Sequence, residues 1–563
     1  MLRNFSRLLF AMPVALLAAA PADVPTFNRD IAPILHGECV ECHHIGGKAP
    51  FSLTDYRDVK KRVKTIARVT GSWLMPPWPP EPGHGEFLGA RRLTDAQIAI
   101  IARWARTGMI EGAARDLPAL PAFHDGWQLG EPDLIVTPPK PFPLPADGPD
   151  IYRNLVMACE AGANRFVRAI EFHPGKTGAV HHAFVLVDES GDARRLESLE
   201  SQPGFPGMLP GRGARAPGGF ASWQPGRRPV EMPDGMAWPL KKGTDLVLQL
   251  HLRPTGKPED VQPNVGIYFT DRAPTRHYML LLLRSTAMDI APGNANYPIA
   301  TSYQLTTDVS LIGLAPHMHY LGREVHGWAE LPDGTHEELL YIKQWDFNWQ
   351  GDYRYVKPIA LPKGTTLKMR FTYDNSAQNP LNPSHPPQRV QYGLQSSDEM
   401  GELWFWLETK TAVELQTLQR DYFKTWGLPD KAAVNEALLR RDPHDATSRT
   451  ELATALSAMG HIDEALAQLR RAIGDNPKMQ RAWYVLGTLL AKRGELSDAE
   501  AAFTHAIEID PNDSKAQNNL GAVLLSQGKA ARAIEHLEAA LRIDPDDAMA
   551  RQSLETAKAQ AGK

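Results

Sequence analysis

The chain has 563 residues, room for several domains at roughly 100–200 residues each, and its 43% hydrophobic content is that of an ordinary globular protein. Lys+Arg number 61 against 65 for Asp+Glu. That balance excludes the basic excess of a nucleic-acid binder, and beyond the N-terminus no apolar run is long enough to span a membrane.

In chain order, Arg3 and Arg7 precede an apolar run from Leu8 to Ala20, followed by Ala20-Pro21-Ala22. This reads as a secretory signal over residues 1–22, because the run falls short of the roughly 20 residues that a membrane span needs. The expectation is a periplasmic or otherwise exported protein with no membrane span after cleavage. Phe27, Ile31, Ile34 and Leu35 then recur at helical spacing ahead of Cys39-Val40-Glu41-Cys42-His43. Cys-x-x-Cys-His is the attachment signature of c-type haem, with two thiols forming thioethers to the vinyl groups and the adjacent histidine ligating the iron. A disulfide redox pair or a zinc half-site uses similar spacing. No second Cys pair is present for zinc, however, and no β-α-β context surrounds the motif.

Thr94-Asp95-Ala96-Gln97 forms a capping box, and Ile98, Ile101, Ala102 and Ala105 continue along one helix face to a stop at Gly108. Between motif and helix, Met75 precedes two prolines that hold it in an extended loop; it is the candidate sixth iron ligand, with His84 or His44 as alternatives. Residues 26–112 resemble a small class I cytochrome c, an all-α haem domain. Proline recurs too often for helix from Leu117 to Asp150, so 113–150 reads as an extended linker.

From Ile151 to about Thr411, short alternating runs broken by Gly and Pro turns follow the pattern of β-sandwiches. Four histidine-bearing or methionine-bearing motifs punctuate them: Val180-His181-His182-Ala183, Leu250-His251-Leu252, Ala315-Pro316-His317-Met318-His319-Tyr320-Leu321-Gly322, and Asp398-Glu399-Met400. On an extended strand His317 and His319 face the same way and can grip one ion, while Met318 faces the other side. His181 and His182 are neighbours, so both reach one ion only where the strand ends or bulges. Five imidazoles and a thioether suit a redox copper better than zinc.

The motif order resembles the copper type II, ascorbate-dependent monooxygenases, the family of peptidylglycine hydroxylating monooxygenase and dopamine beta-monooxygenase, over roughly Ile151 to Lys410. The resemblance implies two copper ions in two sandwich domains, over residues 151–275 and 276–411, of jelly-roll type. It makes His181, His182 and His251 ligands of the electron-storing copper and His317, His319 and Met400 ligands of the oxygen-binding copper, across a wet cleft. It also implies hydroxylation of a C–H bond of a small molecule with O2, driven by a respiratory or ascorbate-like donor. The family's arginine before the His-x-His is Ala315 here, and its asparagine and tyrosine after the Met are Glu402 and Trp404. The carboxylate-recognising groups are therefore missing, which argues against a glycine-extended peptide as substrate. A haem domain on the same chain is expected to relay electrons to the copper centres. The competing class is a non-catalytic redox or assembly protein.

Arg195 to Gly235 reads as a long Gly- and Pro-rich loop bordering the site, and Cys159, left over once haem takes two thiols, reads as a buried structural thiol. Residues 412–441 read as a helical linker. Beyond it, Asp442-Pro443, Asn476-Pro477, Asp510-Pro511 and Asp544-Pro545 recur every 34 residues, with Gly460, Gly494 and Gly528 and Ala465, Ala499 and Ala533 in step. That is the tetratricopeptide period, so 442–563 is expected to be an α-α solenoid of three repeats and a capping helix from Ala548. Such arrays bind a protein or peptide partner, or dock against the rest of their own chain.

Overall fold

The computed structural model describes residues 24–45, 49–123, 126–175, 178–207, 214–215, 222–223, 229 and 231–562. The expected signal segment and most of the long loop between 208 and 230 lie outside the described residues. Two compact units emerge: residues up to Trp78 together with Ala90–Asp125, and Pro79–Gly89 together with Gly126–Lys563.

The first unit is helical. A single π-helical turn, Phe27–Ile31, leads into the helix Ala32–Glu38, and Tyr56–Gly71 and Asp95–Arg106 follow. Asp55 caps the second long helix and Thr94 the third, where the capping box with Gln97 is complete. Phe27, Ile31, Leu35, Val59, Val63, Ile101 and Trp104 meet in one buried cluster.

In the second unit the middle of the chain is built of antiparallel sheets. Ile151–Ala158, Asp245–Leu252 and Val180–Asp188 lie side by side in one sheet; Asn264–Thr270, Arg165–His173 and Trp238–Leu240 adjoin in a second. Inward residues of both, among them Leu155, Leu248, Val185, Val167 and Ile267, share one buried cluster. A further pair of four-stranded sheets follows. One orders His277–Arg284, Glu402–Thr409, Val309–His317 and Tyr353–Leu361; the other orders Tyr297–Gln304, Thr366–Tyr373, Gly322–Glu330 and His336–Ile342.

Two stretches depart from the expected boundaries. Within the proline-rich linker, Leu134–Val136 pairs with Asn264–Thr270 and Phe142–Leu144 with Glu259–Val261. Trp127 stacks on His173 at 3.9 Å, and Glu171 accepts the amides of Gln128 and Leu129. Proline cannot donate to a ladder, which suits such short peripheral strands. Residues 79–89, expected inside the haem domain, belong instead to the β-rich unit: Pro80 bridges Ile342, Phe87 bridges Tyr355, and Glu81 donates its amide to Tyr341.

The C-terminal helices run Ala446–Met459, Ile462–Asp475, Gln480–Arg493, Leu496–Ile509, Ser514–Ser526, Ala530–Ile543 and Ala548–Ala561. Gly460 and Gly494 end their helices in the left-handed conformation, and Ala465, Ala499 and Ala533 are fully buried where helices cross. The array is tied to the sheets through the bridging helices Ala412–Tyr422 and Leu428–Arg441. Tyr422 donates to the Leu282 carbonyl at 2.8 Å, Arg284 pairs with Asp430 at 3.0 Å, and Arg441 pairs with Asp398. Arg195, on the short helix Asp192–Ser198, pairs with Asp510 at the end of a repeat helix. No helix among the described residues is long and apolar enough to cross a membrane.

Ala533→Leu forces branched carbons into a crossing that is already closed, since even a Cβ on Gly521 would meet Leu537 at 2.6 Å and the Ala533 carbonyl at 3.3 Å. Overpacking of this kind costs about 1–3 kcal/mol. The helical circular-dichroism transition in urea should shift to lower denaturant by a corresponding amount.

Candidate metal centre

His181 and His182 reach one point because their strand bulges. On the ladder with Asp245–Leu252, His251 pairs with His182 but Leu252 pairs with Val180, so His181 is the extra residue. Their Nδ1 atoms stand 3.3 Å apart, and the His251 ring lies 4.9 Å from that of His181 and 4.8 Å from that of His182. Each of the three offers a nitrogen within 4.8 Å of the other two.

The chemistry of this donor set suits a metal. His251 Nε2 lies 2.9 Å from Asp150 Oδ2, while its Nδ1 is buried with no hydrogen-bond partner. A buried unsatisfied ring nitrogen costs about 1–3 kcal/mol and is what a ligand atom without its ion looks like. Burial holds His181 down to about 3 and His182 well below its ordinary value, reinforced by the neighbouring rings, so the imidazoles keep the neutral form that ligation requires. Burial pushes the Asp150 carboxyl up, but hydrogen bonds from His251 and Ser396 outweigh it and leave the carboxyl well below the usual range. Asp150 is thus an anion aimed at the back of the imidazole, the arrangement that fixes tautomer and raises ligand basicity. Tyr152 stacks on His251 at 4.4 Å and anchors its hydroxyl on the Leu394 carbonyl at 2.7 Å.

The second set is built around a buried carboxylate. His317 ends the strand Val309–His317, opposite Glu402 on the neighbouring strand. Gln350 Oε1 lies 2.6 Å from His317 Nδ1, and the Asp398 carbonyl lies 3.0 Å from His319 Nδ1. Both rings therefore keep Nε2 for a ligand. Glu399, fully buried, accepts the amides of His319 at 2.9 Å, Leu321 at 2.6 Å and Met400 at 3.2 Å. One carboxylate so holds the His-x-His turn and the methionine backbone together. Tyr373 donates to the Met400 carbonyl at 2.7 Å, and Met318 is fully buried on the opposite side. Burial pushes Glu399 up to about 8 against the pull of its three amides.

The two sets adjoin instead of facing each other across a wet cleft. The rings of His182 and His317 are 6.5 Å apart, and the buried Phe347 packs against His181 at 4.5 Å, His319 at 5.4 Å and Tyr320 at 4.5 Å. The Phe347 ring thus touches residues of both sets. Ala315 stands opposite Trp404 on the ladder, and Glu402 is paired with Arg284 at 3.1 Å and accepts from the Trp404 indole at 3.2 Å.

In the helical unit Cys39, Cys42 and His43 share one turn, with the amides of Cys42 and His43 both donating to the Cys39 carbonyl. His43 Nδ1 lies 3.1 Å from the Phe51 carbonyl, which leaves Nε2 as the free nitrogen. Both thiols are half-buried, and Met75 is half-buried with its amide on the Val69 carbonyl at 3.1 Å. His44 is occupied by the Val40 carbonyl and by stacking on Phe123. His84, the other alternative to Met75, lies in the β-rich unit, where its Nδ1 is 2.9 Å from Glu338 Oε2. Cys159 is buried and free.

Sequence reasoning missed Asp150, Tyr152, Phe347, Gln350 and the role of Glu399. Only Glu399 carried a signal, standing directly before the candidate methionine; the others lie far along the chain from their partners.

A family model described as tetratricopeptide repeat matches residues 450–514 and 490–548, so the C-terminal helices are tetratricopeptide repeats. No curated protein matches the chain. Two solved structures titled for MamA are similar to it: one at 25% identity, covering 25% of this chain and 78% of that chain with a TM-score of 0.24, the other at 26% identity, covering 25% and 84% with a TM-score of 0.23. The family match covers the repeats alone; the short N-terminal helices and the antiparallel sheets are seen in the structure.

Asp150→Asn replaces the anion behind His251 with a neutral amide. Metal affinity at the three-histidine set, measured by competition with a chromophoric chelator, should fall about 10–100-fold.

Proposed function

We propose that this chain is an exported copper-dependent monooxygenase. Its two β-domains would be sandwiches of the copper monooxygenase kind, and its N-terminal unit a cytochrome c-like haem domain. The observation that carries the reading is the convergence of five imidazoles, one with an orphaned buried nitrogen, beside a methionine whose amide is held by the same carboxyl group as that of His319. Histidines with a thioether favour copper, and copper bound there would supply the one-electron chemistry that lets O2 attack a C–H bond.

The chain's own residues have definable parts in this scheme. His181, His182 and His251 would hold one ion, oriented by Asp150 and Tyr152; His317, His319 and Met400 would hold the other, oriented by Gln350, Asp398 and Glu399. Phe347 keeps water from the space between the two sets, which limits side reactions. With Ala315 where a cation would recognise a carboxylate and Glu402 already paired to Arg284, the substrate is a small molecule that brings no carboxylate of its own. The repeats would bind a protein partner on the faces left free by their docking to the sheets.

Cys39 and Cys42 would carry the haem covalently, with His43 as one axial ligand and Met75 as the other. A Met-His pair raises the haem potential, suiting it to pass electrons from respiratory donors to copper(II). Tethering a donor to the same chain raises its effective concentration to about the millimolar range.

Reconstituted protein should bind about two copper ions per chain, one for each ligand set. His317→Ala should abolish oxygen uptake coupled to product while leaving the haem spectrum intact, assayed with a panel of small substrates. Failure to bind copper sinks the reading. Copper binding without oxygen consumption would move the protein to the non-catalytic class. For the relay, stopped-flow oxidation of pre-reduced haem should keep pace with product formation, and unchanged turnover of a Cys39→Ala, Cys42→Ala variant supplied with the respiratory donor would exclude it.

A further inference from the structure

A second constellation with metal-ligand chemistry lies elsewhere in the β-rich unit. His84, His326 and Glu338 come from three separate segments: the 79–89 stretch and the paired strands Gly322–Glu330 and His336–Ile342. Each offers one ligand atom within 4.8 Å of the others. His84 Nδ1 lies 2.9 Å and His326 Nε2 2.7 Å from the same oxygen, Glu338 Oε2, while His336 Nε2 lies 2.8 Å from the other carboxylate oxygen. Three imidazoles on one carboxylate far exceed what a single surface ion pair needs.

The rings are held in place. His326 stacks on Trp328 at 4.6 Å, and Tyr341 packs against both His84 at 5.2 Å and His326 at 5.5 Å. His84 sits between Gly83 and Gly85, both at positive φ; a Cβ on Gly85 would meet the Phe87 ring at 2.6 Å and the Leu339 carbonyl at 2.9 Å. That tight turn directs His84 toward the hairpin. Backbone bonds flank it on both sides, Glu81 to Tyr341 at 2.8 Å and Leu88 to Arg354 at 2.7 Å.

We propose that His84, His326 and Glu338 form a third metal site, for a zinc-class divalent ion, that clasps the 79–89 segment to the hairpin. Two imidazoles and a carboxylate are a zinc-type donor set, too nitrogen-rich for magnesium or calcium. Ligand atoms on a tetrahedral zinc stand about 3.3 Å apart, so an ion replacing the two shared protons requires the present contacts to open by only tenths of an ångström. The side chains of His84, His326 and Glu338 are 29%, 29% and 31% exposed, which lets an ion enter from solvent. They line a surface pocket of ≈ 430 Å³ with Arg323, Glu324 and Arg370. The pocket's two guanidiniums balance its two carboxylates.

The test uses the full chain loaded with haem and copper, titrated calorimetrically with Zn²⁺ alone. The expected result is one zinc bound in addition to the copper, weakened about tenfold or more in Glu338→Gln and in His84→Ala. Zinc should also slow amide exchange at Glu81, at Leu88 and at Val356, whose amide donates to the Glu86 carbonyl at 2.8 Å, in the wild type and not in either variant. The inference stands apart from the copper reading: a His181→Ala variant should still take up this zinc. Absence of the extra ion, or zinc binding and exchange protection equal in wild type and both variants, overturns it. A misfolded Glu338→Gln protein, seen by circular dichroism, leaves His84→Ala to decide, because that residue sits on an exposed turn.

Discussion

Glu399 is a carboxyl group with no access to water whose oxygens accept three backbone amides, those of His319, Leu321 and Met400. A buried polar group is tolerable only when its hydrogen-bonding capacity is satisfied, and here the partners that satisfy it are the backbone of the candidate metal turn itself. The turn after the strand Val309–His317 and the segment leading into Glu402–Thr409 are therefore bound into one object. Neighbouring Asp398 adds its carbonyl to His319 and its carboxylate to Arg441, so the same few residues join the candidate centre to the helices that lead into the repeats.

The three-histidine set depends on a different device, an irregular ladder. A regular strand would send His181 and His182 to opposite faces; the bulge opposite His251 and Leu252 places both on one side, at the cost of a ladder interruption. Asp150 and Tyr152 then hold His251 from behind. Asp150 also accepts from Ser396, two residues before Asp398, so the two candidate sets share a polar seam as well as the ring of Phe347. With their rings only 6.5 Å apart at the nearest pair, ions bound to the two sets would be neighbours.

Residues 79–89 and 127–144 show the same physical theme at the periphery. Both are short, glycine- or proline-rich tracts that look like linker by composition, and both satisfy their backbone groups on sheets far away in the chain. The repeats, by contrast, are stabilised locally: each helix packs on its sequence neighbours, and the small residues at the crossings are set by the 34-residue period.

Local pattern determined a good deal by itself. The repeat array follows from a fixed 34-residue period, and the capping box at Thr94 and the need for a bulge at His181-His182 depend on residues within a few positions of one another, where spacing translates into geometry. What the sequence could not determine was which distant groups would meet. That Asp150 would back His251, that Gln350 would orient His317, that Phe347 would pack on residues of both sets, and that His84 would join the β-rich unit beside Glu338 are outcomes of long-range strand pairing. Each partner is an ordinary polar or aromatic residue in its own surroundings and acquires its part only when the sheets form, because the contact is made through space by elements whose order along the chain does not specify their adjacency.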